Sequence, residues 1–366
     1  MIKILEENEN VLINGDNLYG LALIEGLKNY DLILIDPPYR SGNKSFKYND
    51  SLSKEEWIRF MYKRLEKAKD LLTEHGAIAI HIDDREYATL KNIMDDIFGE
   101  ENYVNTLILK RTVKNINNQF KKVISLNRAF EFLLIYKKSN QFYYKNPFKP
   151  TNEKRKKGYW TSFKSNADRP TMRYDIGNIS IDSGQWKWSK ERGLRAFENY
   201  NKYLREFRSK MELREYWEKH KDEYEEKFGY PLEFVREYKK SAQYWVLPAK
   251  RTLMDTSMME YSVAEKNGKK LYGFDTVKNL NTTKKIISMF TSENSNILDF
   301  FAGSGTTGHA VLELNKEDGG NRTFTLITNN EKNICSDICY PRIKKVSNEN
   351  KIPFKYIILE DNDLIN

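Results

Sequence analysis

The sequence predicts an α/β protein: a doubly wound, mostly parallel sheet supplied by the two ends of the chain, with a lobe of different character inserted between them. Three observations carry this expectation. Strand and helix patterns alternate over residues 1–138, the alternation stops near residue 139, and it resumes from Thr276. The chain of 366 residues is long enough for a large core and for more than one lobe.

Val11–Asn14 and Asp31–Ile35 are short apolar runs of the buried-strand type, and Asn17–Lys28 between them reads as helix. Ser53 is the expected N-cap of a helix over residues 53–73, and Glu56 completes a capping box. Trp57, Phe60, Met61, Leu65, Ala68, Leu71 and Leu72 share its apolar face. Gly76 is expected to end that helix ahead of a strand, Ala77–Ile82. Residues 103–110 and 131–137 supply two more strands. Residues 139–190 are aromatic, basic and rich in turn residues, with no clean period, and residues 191–240 are helical and charged. The aromatics Phe197, Tyr200, Tyr203, Phe207, Tyr216, Trp217, Tyr224 and Phe228 recur mostly three or four apart. That stripe reads as the helices' own core rather than a platform for stacking a ligand. From Thr276 the alternation resumes, and a helix through Met289 leads to a strand Asn296–Asp299, a glycine loop, a helix Thr306–Leu314 and a strand Thr323–Thr328. There is no internal repeat.

Composition excludes several classes. Hydrophobic residues at 39% and charged residues at 31% suit a globular chain rather than a disordered one. Apolar runs such as Leu32–Ile35 and Ala77–Ile80 are too short to span a bilayer, and the opening MIKILEENEN lacks the pattern of a signal peptide. Two cysteines, Cys335 and Cys339, make neither a disulfide framework nor a four-ligand zinc site. A cytoplasmic protein without a membrane partner or a bound metal is expected. The net charge of +9 is concentrated: residues 141–250 hold 25 Lys/Arg and 16 Asp/Glu, so the rest of the chain is neutral. A basic middle between balanced flanks suggests a polyanion-binding module; a solvated lysine-rich surface is the alternative.

Two motifs carry chemistry. Asp36-Pro37-Pro38-Tyr39 ends the strand Asp31–Ile35. The paired prolines impose a rigid, extended exit and leave the Pro37 carbonyl free to accept a hydrogen bond. A carboxylate, a free carbonyl and an aromatic ring together suit a planar ring bearing an amino group. Asp36 and the Pro37 carbonyl would take the two N–H protons, and Tyr39 would stack, acting through its ring so that Tyr39→Phe stays active. The nitrogen would then attack a methyl sulfonium through positioning and electrostatics rather than a strong general base. An ordinary proline turn is the plain alternative. The second motif, Leu298-Asp299-Phe300-Phe301-Ala302-Gly303-Ser304-Gly305-Thr306-Thr307-Gly308, passes from strand through a Gly-x-Gly turn into helix, a dinucleotide-fold grammar. No Walker lysine follows, and Phe301 favours a nucleoside-bearing cofactor over a bare phosphate. A side chain at Gly305 is expected to fill space that the cofactor needs.

DPPY followed by a distant FxGxG-type loop resembles the beta-class amino-methyltransferases. Asn14-Gly15-Asp16-Asn17-Leu18 resembles the family's GDNL segment, and DPPYRSGNKSFKYNDS, IHIDDREYATLKNIMDDIFG, LDFFAGSGTTGHAVLELNKEDGGNRTF and NNEKNICSDICYPRIKKV also match, most nearly in modification (Mod) subunits of type III restriction systems. The resemblance covers residues 11–138 and about 270–346. It implies a Rossmann-like S-adenosylmethionine (SAM)-dependent methyltransferase fold with permuted motif order. Residues 1–138 would be the catalytic half, 139–270 the target-recognition lobe that binds DNA, and 271–366 the SAM-binding half. The DPPY strand would lie beside the glycine-loop strand although about 260 residues separate them.

The resemblance also implies roles. Asp36, Pro37, Pro38 and Tyr39 are catalytic; Asp299, Phe301, Ala302, Gly303, Ser304, Gly305, Thr306 and Thr307 hold the cofactor; Asp16 contacts its adenosine; Lys278 stands where the family often has Lys-Pro before a helix facing it. Asn279 replaces that proline, so the helix start is open, and Thr328 stands where a ribose-binding acid is common, followed by Asn329, Asn330 and Glu331. The implied activity is methylation of N6 of a flipped adenine in double-stranded DNA, within a restriction-modification system or by a solitary methylase. A homodimer and a helicase-nuclease restriction partner are compatible with it. Type III Mod subunits are usually much longer, and this chain begins about ten residues before its GDNL segment, so the partner is not assumed. N4-cytosine methylation is the nearest rival, with an RNA substrate weaker and a truncated, inactive DNA-binding remnant a third reading. Asp36 favours adenine, because cytosine enzymes often carry Ser there. His81 is read as structural, and Asp83-Asp84 as a helix N-cap rather than a metal pair. Cys335 and Cys339 are read as small core residues.

Overall fold

The computed structural model describes residues 9–42, 50–111, 126–274 and 276–359. Two compact units separate: one from the flanks of the chain, up to Pro147 and from Met254 onward, and one from Phe148–Leu253.

The larger unit is built on a nine-stranded sheet: β1 (Val11–Asn14), β2 (Tyr30–Ile35), β3 (Leu72–Ile82), β4 (Tyr103–Lys110), β5 (Phe130–Lys137), β6 (Ser257–Ser262), β7 (Asn296–Asp299), β8 (Thr323–Thr328) and β9 (Lys355–Ile358). Their order is β6-β4-β5-β3-β2-β7-β8-β1-β9. Only β5 runs against its neighbours; the other adjacent pairs are parallel. Parallel pairing requires crossovers, and these are the helices. α1 (Asn17–Ile24), α2 (Lys54–Asp70) and α3 (Tyr87–Phe98) cover one face, where Ile33, Ile35, Ile78 and Ile80 point. α4 (Leu280–Phe290), α5 (Thr306–Asp318) and α6 (Tyr340–Asn350) cover the other, reached by Leu32, Leu34, Ala77 and Ala79. This is the doubly wound architecture expected from the sequence. β2 and β7 pair directly, Leu32 opposite Ile297 and Ile33 opposite Leu298, so the two motif-bearing strand ends are neighbours at the centre of the sheet.

Several local expectations change. α1 stops at Ile24 rather than Lys28. α2 begins behind the capping box of Ser53 and Glu56 but ends at Asp70, and Gly76 lies inside β3, not at a helix end. The β2–β3 register jumps there, from Tyr30–Leu72 to Leu32–Ala77, and a Cβ at Gly76 would stand 2.8 Å from the Tyr30 carbonyl, so close backbone approach explains the glycine. α4, whose start the sequence left open, begins at Leu280, where Asn279 caps it by accepting from Thr282 N at 3.0 Å. Asp83 is no helix cap: it is buried, paired with Arg85, and the cap position of α3 falls to Glu86. β6 adds an edge strand from residues that composition had assigned to the middle lobe.

The second unit is narrower than the 139–270 segment set apart by composition, and it holds 25 basic and 16 acidic residues, the net excess counted over 141–250. A three-stranded antiparallel sheet (Val235–Tyr238, Ser241–Val246, Tyr159–Ser162) packs with helices Lys190–Glu206 and Leu213–Phe228. Tyr203 and Tyr216 are buried with Phe234 and Trp245, and Tyr200, Phe207, Trp217 and Tyr224 join them part-buried, so most of the aromatic stripe is core. Phe228 is the exception, 45% exposed. No helix among the described residues is long and apolar enough to cross a membrane.

Candidate active site

β2 ends at Ile35, and Asp36-Pro37-Pro38-Tyr39 leaves the sheet without regular structure. The indole of Trp57 donates to the Pro38 carbonyl at 2.7 Å, which anchors the exit to α2. No described residue donates to the Pro37 carbonyl. Arg40 then takes a left-handed backbone (φ 53°), held by Glu86 at 2.7 Å and the Leu52 carbonyl at 3.0 Å. A non-glycine residue adopts that conformation only where its surroundings impose it.

The side chains of this exit enter a charged cluster drawn from the whole unit. The Tyr39 hydroxyl lies within hydrogen-bonding distance of Asp36 Oδ1 and is 2.9 Å from Glu131 Oε1; its single proton serves one carboxylate at a time. Lys278 Nζ stands 3.1 Å from Asp36 Oδ1, 2.5 Å from Glu131 Oε1 and 3.2 Å from the Tyr39 hydroxyl. His81 Nδ1 is 3.1 Å from Glu131 Oε1. Burial opposes ionisation of Glu131, but Lys278 and His81 outweigh it and hold the carboxyl well below the usual range. Burial likewise disfavours the Lys278 cation, and Asp36 with Glu131 more than restores it. Burial, then the two carboxylates, push the Tyr39 phenol up, so it stays a neutral donor. Asp36 Oδ2 has no partner among the described residues.

β7 delivers the second motif. Asp299 is buried at the strand end and accepts from Phe301 N at 3.0 Å and from the Thr307 hydroxyl at 2.6 Å, tying the loop to the first turn of α5. Burial raises its pKa to about 7, against those two hydrogen bonds and with help from the charge of Asp36. Gly303 (φ 48°) and Gly305 (φ 75°) make the turn. A Cβ on Gly305 would lie 3.0 Å from Cys339 Sγ and 3.2 Å from Ile343, so this glycine is needed for packing on α6. Beneath the loop, buried Arg342 donates to the Ser304 carbonyl at 3.2 Å and to the Thr306 hydroxyl at 2.9 Å.

Between the two strand ends lies a cavity of about 250 Å³. Of the residues singled out from the sequence, Asp16, Asp36, Pro38, Lys278, Asp299, Phe301, Ala302, Gly303, Ser304, Thr306 and Thr307 line it. Pro37, Tyr39 and Gly305 do not: the Tyr39 ring packs on the core beneath β2, and Gly305 faces α6. Asp16 caps α1 by accepting from Leu18 N at 2.8 Å and pairs with Arg64 at 3.0 Å. Arg64 also bonds Asn17, whose amide donates to the Phe300 carbonyl at 2.7 Å. The GDNL segment is thereby fastened to the glycine loop. Thr328, Asn329 and Glu331 line the cavity at the end of β8. Sequence reasoning missed Glu131 and Arg64 and undervalued His81, which lines the cavity and contacts Glu131. The one available signal for Glu131 was an acid inside the otherwise apolar run Phe130–Tyr136, where a buried charge needs partners.

A strand-end carboxylate and a glycine loop across one cavity, in this chain order, define a class of enzyme that modifies amino groups. The chain belongs to the DNA methylase family whose N6_N4_Mtase model matches residues 30–339. It is 33% identical to the type II methyltransferase M.KpnI of Klebsiella pneumoniae, over 92% of this chain and 84% of that protein. It is 29% identical to the type III StyLTI Mod subunit of Salmonella typhimurium, over 88% of this chain and 53% of that subunit. It is 25% identical to the EcoP15I Mod subunit of Escherichia coli, over 88% of this chain and 59% of that subunit. The chain thus spans about half the length of the type III subunits it matches. Among solved structures, the M1.HpyAVI–SAM complex aligns with 91% of this chain and 98% of its own at 17% identity and a TM-score of 0.44.

Proposed function

We propose that the protein transfers a methyl group from S-adenosylmethionine to N6 of an adenine flipped out of double-stranded DNA. The observation that carries this reading is the convergence of Asp36 and the Asp299–Thr307 loop on one cavity between paired strands. S-adenosylmethionine supplies an electrophilic methyl group when bound. The cavity suits it: apolar Phe60, Phe274, Phe301 and Ile334 can enclose a nucleoside, and the backbone of Ala302–Ser304 lies open for lack of a Gly303 side chain. Asp16 and the Asp299–Thr307 loop would hold it, with Asn329 and Glu331 in reach of its ribose.

Asp36, which lines the cavity, and the Pro37 carbonyl beside it in the chain would take the amino group's two protons. Holding both N–H bonds in the acceptors' directions concentrates the nitrogen lone pair toward the methyl group. Asp36 is also placed to receive the proton that the methylated nitrogen must release. The basic unit Phe148–Leu253 would follow the DNA backbone and read the target sequence. The Mod relatives support a role in a restriction-modification system, alone or with a helicase-nuclease subunit.

The test is incubation of the purified chain with labelled S-adenosylmethionine and duplex DNA, followed by mass spectrometry of the digested nucleosides. N6-methyladenine is the expected product. N4-methylcytosine would overturn the substrate while leaving the acceptor logic standing. Binding of the same DNA should weaken steeply with salt, as phosphate contacts by the basic unit require.

A further inference from the structure

We infer that Glu131 and Lys278 form a positioning pair that orients Asp36, an inference that rests on the methyl-transfer reading above. The two residues are 147 apart in the chain. Glu131 stands near the start of β5, two strands from β2, and Lys278 just before the cap of α4. Both are poorly exposed, 4% for the Glu131 side chain and 16% for Lys278. A fold has little to gain from burying an ion pair, because desolvation offsets most of the attraction. A buried pair beside a third charge therefore needs another explanation, and its geometry supplies one.

Glu131 Oε1 receives Lys278 Nζ at 2.5 Å and stands 2.9 Å from the Tyr39 hydroxyl. Those same two groups are the ones that reach Asp36, and they reach the same oxygen, Oδ1. Glu131 thus holds the ammonium from behind, and the ammonium reaches the Tyr39 oxygen at 3.2 Å and Asp36 Oδ1 at 3.1 Å, which leaves the single phenol proton for Asp36. Two donors at one oxygen restrain the carboxylate's rotation, which holds the lone pairs of Oδ2 toward one direction. That direction decides whether an amino group in the cavity is aligned for transfer. His81, 3.1 Å from Glu131 Oε1, closes the cluster on the β3 side. Glu131 is not among the residues that line the cavity, so its influence passes through Lys278. Lys278 does line it and touches the catalytic carboxylate directly.

The pair is tested by a double-mutant cycle of Glu131→Gln and Lys278→Met, with Lys278→Arg as the conservative variant and Asp36→Ala as control. Single-turnover methylation of duplex DNA is measured at saturating cofactor, and S-adenosylmethionine affinity by calorimetry. Glu131→Gln should slow the single-turnover rate on the order of a hundredfold, the scale of a misplaced reacting group, with cofactor affinity unchanged. Because the two residues act as a unit, the double variant should be no slower than the slower single variant. It also leaves no charge at positions 131 and 278, which keeps the comparison valid if Glu131→Gln alone folds poorly. Lys278→Arg should recover much of the rate lost in Lys278→Met. A wild-type rate in Glu131→Gln, or losses that multiply in the double variant, would overturn the pair. So would a fall in cofactor affinity parallel to the fall in rate, which marks a purely structural role. Wild-type activity in Asp36→Ala would instead overturn the methyl-transfer reading.

Discussion

The ends of β2 and β7 face one cavity but are constructed differently. At β7 the features come from a single stretch of backbone: Asp299 ties its own loop to α5, and two left-handed glycines turn the chain. At β2 the motif supplies only Asp36 and Tyr39, and the remaining charges arrive from β3, β5 and the residue before the α4 cap. One end is local and geometric; the other is long-range and electrostatic. Substitutions at β7 should therefore alter folding and cofactor retention, whereas substitutions around β2 should alter rate.

The largest effect that would sharpen this contrast concerns Asp299. Its folded pKa of about 7 exceeds its ordinary 3.8, so the folded chain holds a proton that the unfolded chain has lost between those values. The resulting stability is fully present below pH 3.8 and is lost as pH rises to about 7, a decline of roughly 4 kcal/mol from this group. Urea titrations of the cofactor-free protein from pH 4 to 8 should show that decline, and Asp299→Asn should remove its share. An unchanged slope in the variant would place the titration elsewhere.

Next comes Tyr39. The sequence suggested a ring acting alone, with Tyr39→Phe active. The hydroxyl, however, lies between Asp36 and Glu131. A hydrogen bond to a charged group contributes about 1.5–3 kcal/mol, so Tyr39→Phe should slow methylation roughly tenfold or more while the protein stays folded. A variant as fast as the wild type would return Tyr39 to a role as a ring alone.

The smallest effect belongs to Gly305. Adding a Cβ at φ 75°, 3.0 Å from Cys339 Sγ, should cost about 1–2 kcal/mol for the left-handed backbone alone. Because that Cβ points toward α6, Gly305→Ala should lower Tm equally with and without S-adenosylmethionine. Loss of cofactor binding with unchanged Tm would restore the earlier expectation that Gly305 clears space for the cofactor.

What was legible follows the same division. Val11–Asn14, Asn296–Asp299 and Thr323–Thr328 are strands to the residue, because short apolar runs bounded by polar residues have few alternatives. The pairing of β2 with β7 was expected through the family resemblance, whose permuted motif order sets the two motif strands side by side. The α4 start stayed open in the sequence, because Asn279 replaces the family's proline, and only its role as a cap sets the helix to begin at Leu280. Gly76 misled because a glycine after a helical pattern resembles a helix stop, whereas here it admits the Tyr30 carbonyl. Glu131 and His81 were out of reach for a further reason. Glu131 meets His81, and both come near Asp36, only through the sheet order, with β5 brought beside β3 and β3 beside β2, and Lys278 arrives from before α4. A single sequence does not print that proximity.

The most direct test of the account is Asp36→Ala, assayed for methyl transfer to duplex DNA and for the rise in Tm on adding S-adenosylmethionine. The account predicts a rate loss on the order of a hundredfold or more, from removing the carboxylate proposed to accept the amino group's proton. It predicts that the ligand-induced rise in Tm survives, because the Asp299–Thr307 loop is untouched. Wild-type methylation by Asp36→Ala would contradict the mechanism, and a lost Tm shift would contradict the separation of the two strand ends.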